Sequence, residues 1–129
     1  MKDSKENIVL TEAVYYILLS LYEPMHGYGI MQNVMTLSEG RVNLAAGTLY
    51  GAINTLLEKG FIKALAGEAN SRKKEYEITA TGKVVVKNEI ERLRELIKNG
   101  EKIVGGIEQW DTLYTNGFGL GILKKRKNG

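Results

Sequence analysis

The spacing of apolar residues changes twice along this chain, and those two changes limit what it can fold into. Up to about residue 60, apolar side chains recur at helical intervals in short blocks. Between residues 61 and 79 they alternate with polar ones. From Val86 they step by 4, 3, 4, 3, 4, 3 through Ile90, Leu93, Ile97, Gly100, Val104 and Ile107. Helical spacing gives each helix one apolar face. Alternation gives a strand one buried and one wet face. A sustained 4-3 step gives a seam that another helix can cover. The order is therefore three short helices, a hairpin, and one long helix.

The first helix lies in IVLTEAVYYILLSLY (8–22), where Val14, Ile17, Leu18 and Leu21 share a face. Thr11 can cap an inner start with Glu12 in the favourable first turn, and Glu23-Pro24 ends the helix. A second helix is expected at about 28–37, with Ile30, Val34 and Leu37 inward and Gly40 as a stop. The third lies in GTLYGAINTLLEKGFI (47–62). Its apolar face is Leu49, Ile53, Leu56 and Leu57; Asn43 is the nearest cap and Gly60 the left-handed C-terminal residue. FIKALAG (61–67) and KKEYEIT (73–79) are strands joined by the polar turn EANSR (68–72). Thr79 or Thr81 caps the long helix, with a bend or early stop expected at Gly100 or Gly105-Gly106.

This content is that of a winged helix-turn-helix followed by a long C-terminal dimerisation helix, a fold that is mainly α with a small β-hairpin. The expected divisions are a DNA-binding domain at 1–82, a dimerisation helix at 83–114, and a basic, flexible tail at 115–129. On a helical wheel, Gly47, Gly51, Asn54, Thr55 and Glu58 fall opposite the apolar face of the third helix. A glycine in a helix costs roughly 1 kcal/mol relative to alanine. Two on the outer side are explained if the backbone there must come close to DNA. The alternatives are a frayed N-terminus or close packing of another helix.

Asn54 and Thr55 are the outward groups able to bond base edges, and Thr48 and Tyr50 flank them within reach of phosphate. Tyr50 could equally be a half-buried ring packed on the first helix. At the expected wing, Asn70 and Ser71 form the turn beside Arg72, Lys73 and Lys74, the only run of three cations in the body. Such a tip can lie on a backbone or in a minor groove, although charge runs are often simply solvated. Val86, Ile90, Leu93, Ile97 and Val104 are the expected dimer seam; the alternative is packing back on the same chain, to which Leu93 and Leu96 would contribute.

The segments LTEAVYYILLSLYEPMHGYGI, GTLYGAINTLLEKGFI and RKKEYEITATGK resemble the PadR family of bacterial transcriptional regulators. The HGY, GTLY, EKGFI and Y-x-I-T-x-x-G elements stand in family order over about residues 8–83; Glu75 departs from the family's frequent second tyrosine. The resemblance implies a dimeric repressor, relieved in many members by a small, often aromatic, compound. A two-fold dimer would meet a palindromic operator in double-stranded DNA, with recognition helices ~34 Å apart.

Composition narrows the other classes. The net charge of +3 is local: residues 1–83 balance to zero, and Lys124, Lys125, Arg126 and Lys127 supply the excess. That cluster reads as solvated, or as a source of non-specific DNA affinity. There is no cysteine and one histidine, His26, so no metal is expected; His26 is assigned to holding the turn before Gly27. No nucleophile or paired-carboxylate motif suggests an enzyme, no cofactor is expected, and GFGLG (117–121) follows no strand. Trp110 is either part of an effector site or interface core. No apolar run suits a membrane, and a cytoplasmic location is the expectation. The competing function is a winged module for protein–protein contact without specific DNA binding.

Overall fold

The computed structural model describes residues 8–66 and 74–105. They fall into two compact units that meet in sequence at Ile90 and Glu91. The order is α1 (Glu12–Ser20), β1 (Met25–His26), α2 (Gly27–Leu37), α3 (Ala46–Glu58), β2 (Ile62–Ala64), β3 (Glu75–Ile78) and α4 (Ala80–Val104).

α1 begins at the inner start. Thr11 is its cap, and its side chain accepts a hydrogen bond from the Val14 amide at 3.2 Å. Residues 8–10 precede the helix, yet Leu10 is buried and Ile8 packs on the core. Ile17, Leu18 and Leu21 are fully buried and meet Ile30 and Val34 of α2 and Leu49, Ile53 and Leu56 of α3 in one cluster. Leu37, expected on the inner stripe of α2, is instead 43% exposed at the last turn. Buried Ser20 donates to the Tyr16 carbonyl at 2.8 Å and accepts from the Asn33 amide at 2.9 Å, so one hydroxyl ties α1 to α2.

The turn between α2 and α3 is closed by Ser38, whose hydroxyl accepts from the Val42 amide at 2.9 Å. Glu39 and Gly40 adopt φ of 56° and 84° there. α3 starts after Ala45, not after an Asn43 cap, and no side chain caps it. Its end follows expectation: Gly60 has φ 77°, and the Phe61 amide reaches back to the Leu56 carbonyl at 3.0 Å.

The sheet has three antiparallel strands in the order β1-β3-β2. Two were expected, and both are shorter than the segments 61–67 and 73–79 read for them. In β3, Tyr76 and Ile78 are buried while Glu75 is exposed and Glu77 half-buried, the alternation read from the sequence. β1 was not expected. Met25 pairs with Tyr76 and His26 with Glu75, so His26 is a strand residue as well as the N-cap of α2.

Thr79 caps α4. Its hydroxyl accepts from the Gly82 amide at 3.0 Å and donates to the Gly60 carbonyl at 2.6 Å. Gly82 is obligatory: a Cβ there would lie 2.2 Å from the Phe61 carbonyl oxygen. The helix runs through Gly100 without stopping and reaches Val104, with Gly105 at φ 109°. An exposed glycine in mid-helix lowers propensity by roughly 1 kcal/mol, too little to break a helix of this length.

Candidate nucleic-acid interface

Leu49, Ile53 and Leu56 anchor α3 in the core and thereby set which residues face outward. Gly47, Thr48, Gly51, Asn54, Thr55 and Glu58 are all exposed. A Cβ added at Gly47 or Gly51 would meet nothing within 4 Å. Among the described residues, therefore, neither glycine serves the packing of another helix, and the outer side of α3 is bare. Its bareness leaves the backbone open to a close approach from outside.

The polar groups on this face differ in what they can offer. The Thr55 hydroxyl donates to the Gly51 carbonyl at 3.2 Å, so toward a ligand it acts as an acceptor. Asn54 retains a donor and an acceptor side by side, the pattern that matches an adenine edge. Tyr50 is 44% exposed. Its ring rests on the start of α2, since a Cβ at Gly27 would fall 2.0 Å from its hydroxyl oxygen. The expected alternative partner was α1; the observed one is Gly27. This contact also explains the glycine of the HGY element, a tertiary reason that no local pattern reveals. Burial, and then the nearby phenol of Tyr50, push the Tyr76 hydroxyl above its ordinary pKa.

Lys74 is exposed immediately before β3. Asn70, Ser71, Arg72 and Lys73, the rest of the expected wing tip, lie outside the described residues, as does Trp110. Two cations flanking α3 have carboxylate partners. Arg41, in the α2–α3 turn, pairs with Glu12 of α1. Lys63 of β2 lies 3.8 Å from Glu77 of β3.

The expected dimer seam divides in two. Val86 is 2% exposed within the core of the first unit, and Ile90 packs against that core. Val86 is therefore corrected from seam to core: α4 must bury its first turns to close the winged unit. Leu93 is half-buried. Ile97 and Val104 are exposed, and so are Leu96 and Ile103. Ile103 was missed because a 4-3 step admits one residue per turn, whereas the exposed apolar stripe is wider.

Among the described residues no cluster of His, Cys, Asp or Glu could hold a metal ion, and no helix is long and apolar enough to cross a membrane.

A search of curated proteins finds no match to this sequence. Solved structures do match. A transcriptional regulator from Clostridium thermocellum is 27% identical with a TM-score of 0.60, covering 72% of this chain and 89% of that one. A PadR family transcription regulator from Clostridium difficile is 23% identical with a TM-score of 0.60, covering 74% of this chain and 100% of that one; it speaks for the fold. So does BpsR of Bordetella bronchiseptica, whose DNA binding is regulated by 6-hydroxynicotinic acid, at 18% identity and a TM-score of 0.56 over 77% of this chain and 67% of that one. The model of the transcriptional regulator PadR-like family matches residues 16–88, more than half of the sequence. With its winged-helix architecture and the GTLY helix in place, the chain belongs to the PadR-like family of transcriptional regulators.

Proposed function

We propose that the protein is a sequence-specific DNA-binding regulator that acts as a dimeric repressor. The observation that carries this reading is the bare outer side of α3, with glycines at 47 and 51 and the Asn54 amide between exposed hydroxyls. Thr48 and Tyr50 contact phosphate, and Asn54, with Thr55 as acceptor, reads base edges. Asn70, Ser71, Arg72, Lys73 and Lys74 contact the DNA backbone in this reading. In this reading residues 1–82 bind DNA and 83–114 bring two copies together, which sets the symmetry of the operator. Relief by a small aromatic compound is supported by the regulation of BpsR, a structural neighbour, by 6-hydroxynicotinic acid. The site of action is the cytoplasm.

A second reading has its own support. The described part of the first unit carries six Lys/Arg (Arg41, Lys59, Lys63, Lys74, Lys83, Lys87) against seven Glu (Glu12, Glu23, Glu39, Glu58, Glu75, Glu77, Glu89). A surface so balanced suits a winged module that docks on another protein.

Selection of bound sequences from random double-stranded DNA separates the two. A two-fold symmetric consensus, with affinity falling steeply as salt rises, is the expected outcome. Enrichment of no sequence, with salt-insensitive binding, would favour the protein-docking reading instead.

A further inference from the structure

Across residues 8–58, which include the whole of α1, α2 and α3, Arg41 is the only lysine or arginine. It stands in the turn that leads into α3, just ahead of Gly47 and Thr48. In a helix-turn-helix the N-terminal end of the recognition helix is the part that enters the groove, so the turn before it runs beside the DNA backbone. The neighbouring Val42 and Leu44 pack against the core, whereas Arg41 is exposed. Its guanidinium is engaged by the carboxylate of Glu12, which also lies at the surface.

We infer that Arg41 is a phosphate-binding residue whose site is occupied, in the free protein, by the Glu12 carboxylate as an internal substitute for a DNA phosphate. The inference rests on the DNA-binding reading and adds to it a residue and a control on affinity. Carboxylate and phosphate oxygens are matched by the same planar donor fork of arginine, so one can replace the other without rebuilding the turn. The side chains of Arg41 and Glu12 are 64% and 46% exposed. A pair that open to water is held weakly and exchanges readily. Its consequence is selective: Glu12 lowers affinity for every DNA sequence alike, because Arg41 contacts the backbone and not the bases. Sequence preference is left to Asn54.

The test is a double-mutant cycle on the full chain, with Glu12→Gln, Arg41→Ala and the combination, using a fluorescent operator duplex and a random duplex of equal length. Glu12→Gln is expected to raise affinity for both duplexes by about two- to fivefold at low salt, the size of an exposed ion pair. Arg41→Ala is expected to weaken both equally and to flatten the slope of log affinity against log salt by ~0.9 per chain. In the combined variant the gain from Glu12→Gln should vanish. A gain of the same size with or without Arg41 would show general repulsion by Glu12 and overturn the inference. An unchanged salt slope in Arg41→Ala would overturn it too, while leaving the DNA-binding reading intact. A parent protein that binds neither duplex would remove both. Thermal unfolding of each variant checks that the α1 N-terminus, where Glu12 also faces the helix dipole, stays folded.

Discussion

Glycines in this protein do opposite things, and their surroundings separate them where composition does not. Gly51 faces open space, whereas Gly82 sits against the Phe61 carbonyl oxygen. Gly51→Ala should therefore stabilise the fold by up to about 1 kcal/mol through helix propensity, and should weaken operator binding by blocking close approach. Gly82→Ala should cost about 1–3 kcal/mol or more, because a backbone carbonyl cannot swing aside. Urea unfolding of both variants, with an operator titration of the first, checks the pair. If Gly51→Ala binds DNA as tightly as the parent, close approach is not what keeps glycine there. Tyrosines give a pH dependence. Burial, followed by repulsion from Tyr50 for Tyr76 and from Tyr15 for Tyr22, raises both phenols above the ordinary value of 10.0. Below that value folded and unfolded chains both hold these protons, so there is no effect. Above it the unfolded chain releases them first, and stability falls as pH rises. Unfolding followed by phenolate absorbance should show this alkaline loss, and Tyr76→Phe with Tyr22→Phe should reduce it.

Secondary structure was legible in the sequence wherever local chemistry decides it. Thr11, Gly60 and Thr79 each announce a helix boundary through a hydroxyl or a missing Cβ, and each boundary is found there. β1 was not legible. Two residues carry no period, and Met25 and His26 form a strand only because β3 offers them partners. For the same reason the glycine at 27 has no local explanation: what requires it is Tyr50, which lies across it from α3. The outward face of α3 was legible from its wheel alone, since three buried residues on one side leave little freedom for the rest. The hydrogen bond that turns Thr55 into an acceptor was not. At α4, Thr79→Ala should cost about 1–2 kcal/mol, since it removes a cap and a bond to the Gly60 carbonyl together. Thr79→Ser, which keeps the hydroxyl, should recover most of that in the same urea titration.

At the scale of the molecule the question is what covers the far part of α4. Leu96, Ile97, Ile103 and Val104 are 51%, 59%, 84% and 71% exposed in the single chain. Exposed leucine, isoleucine and valine in that number on one helix stand at odds with a solitary soluble helix. Sedimentation or light scattering at micromolar concentration should give a dimer. Replacing Ile97 and Ile103 with aspartate should shift it to monomer and weaken operator binding, while leaving the unfolding of the first unit unchanged. A parent protein that is monomeric under those conditions would rule out this role for α4. The heptad step in the sequence anticipated such a stripe. It could not tell that Val86 lies in the core of the first unit, because a core helix and a paired helix bury the same residue types.

One oxygen atom, the Thr79 hydroxyl, finishes α3 through the Gly60 carbonyl and begins α4 through the Gly82 amide. With Gly82 against the Phe61 carbonyl, that joint has no room for a side chain. The end of α3 and the opening turn of α4 thus share a single anchor, and a displacement of one is expected to draw the other with it.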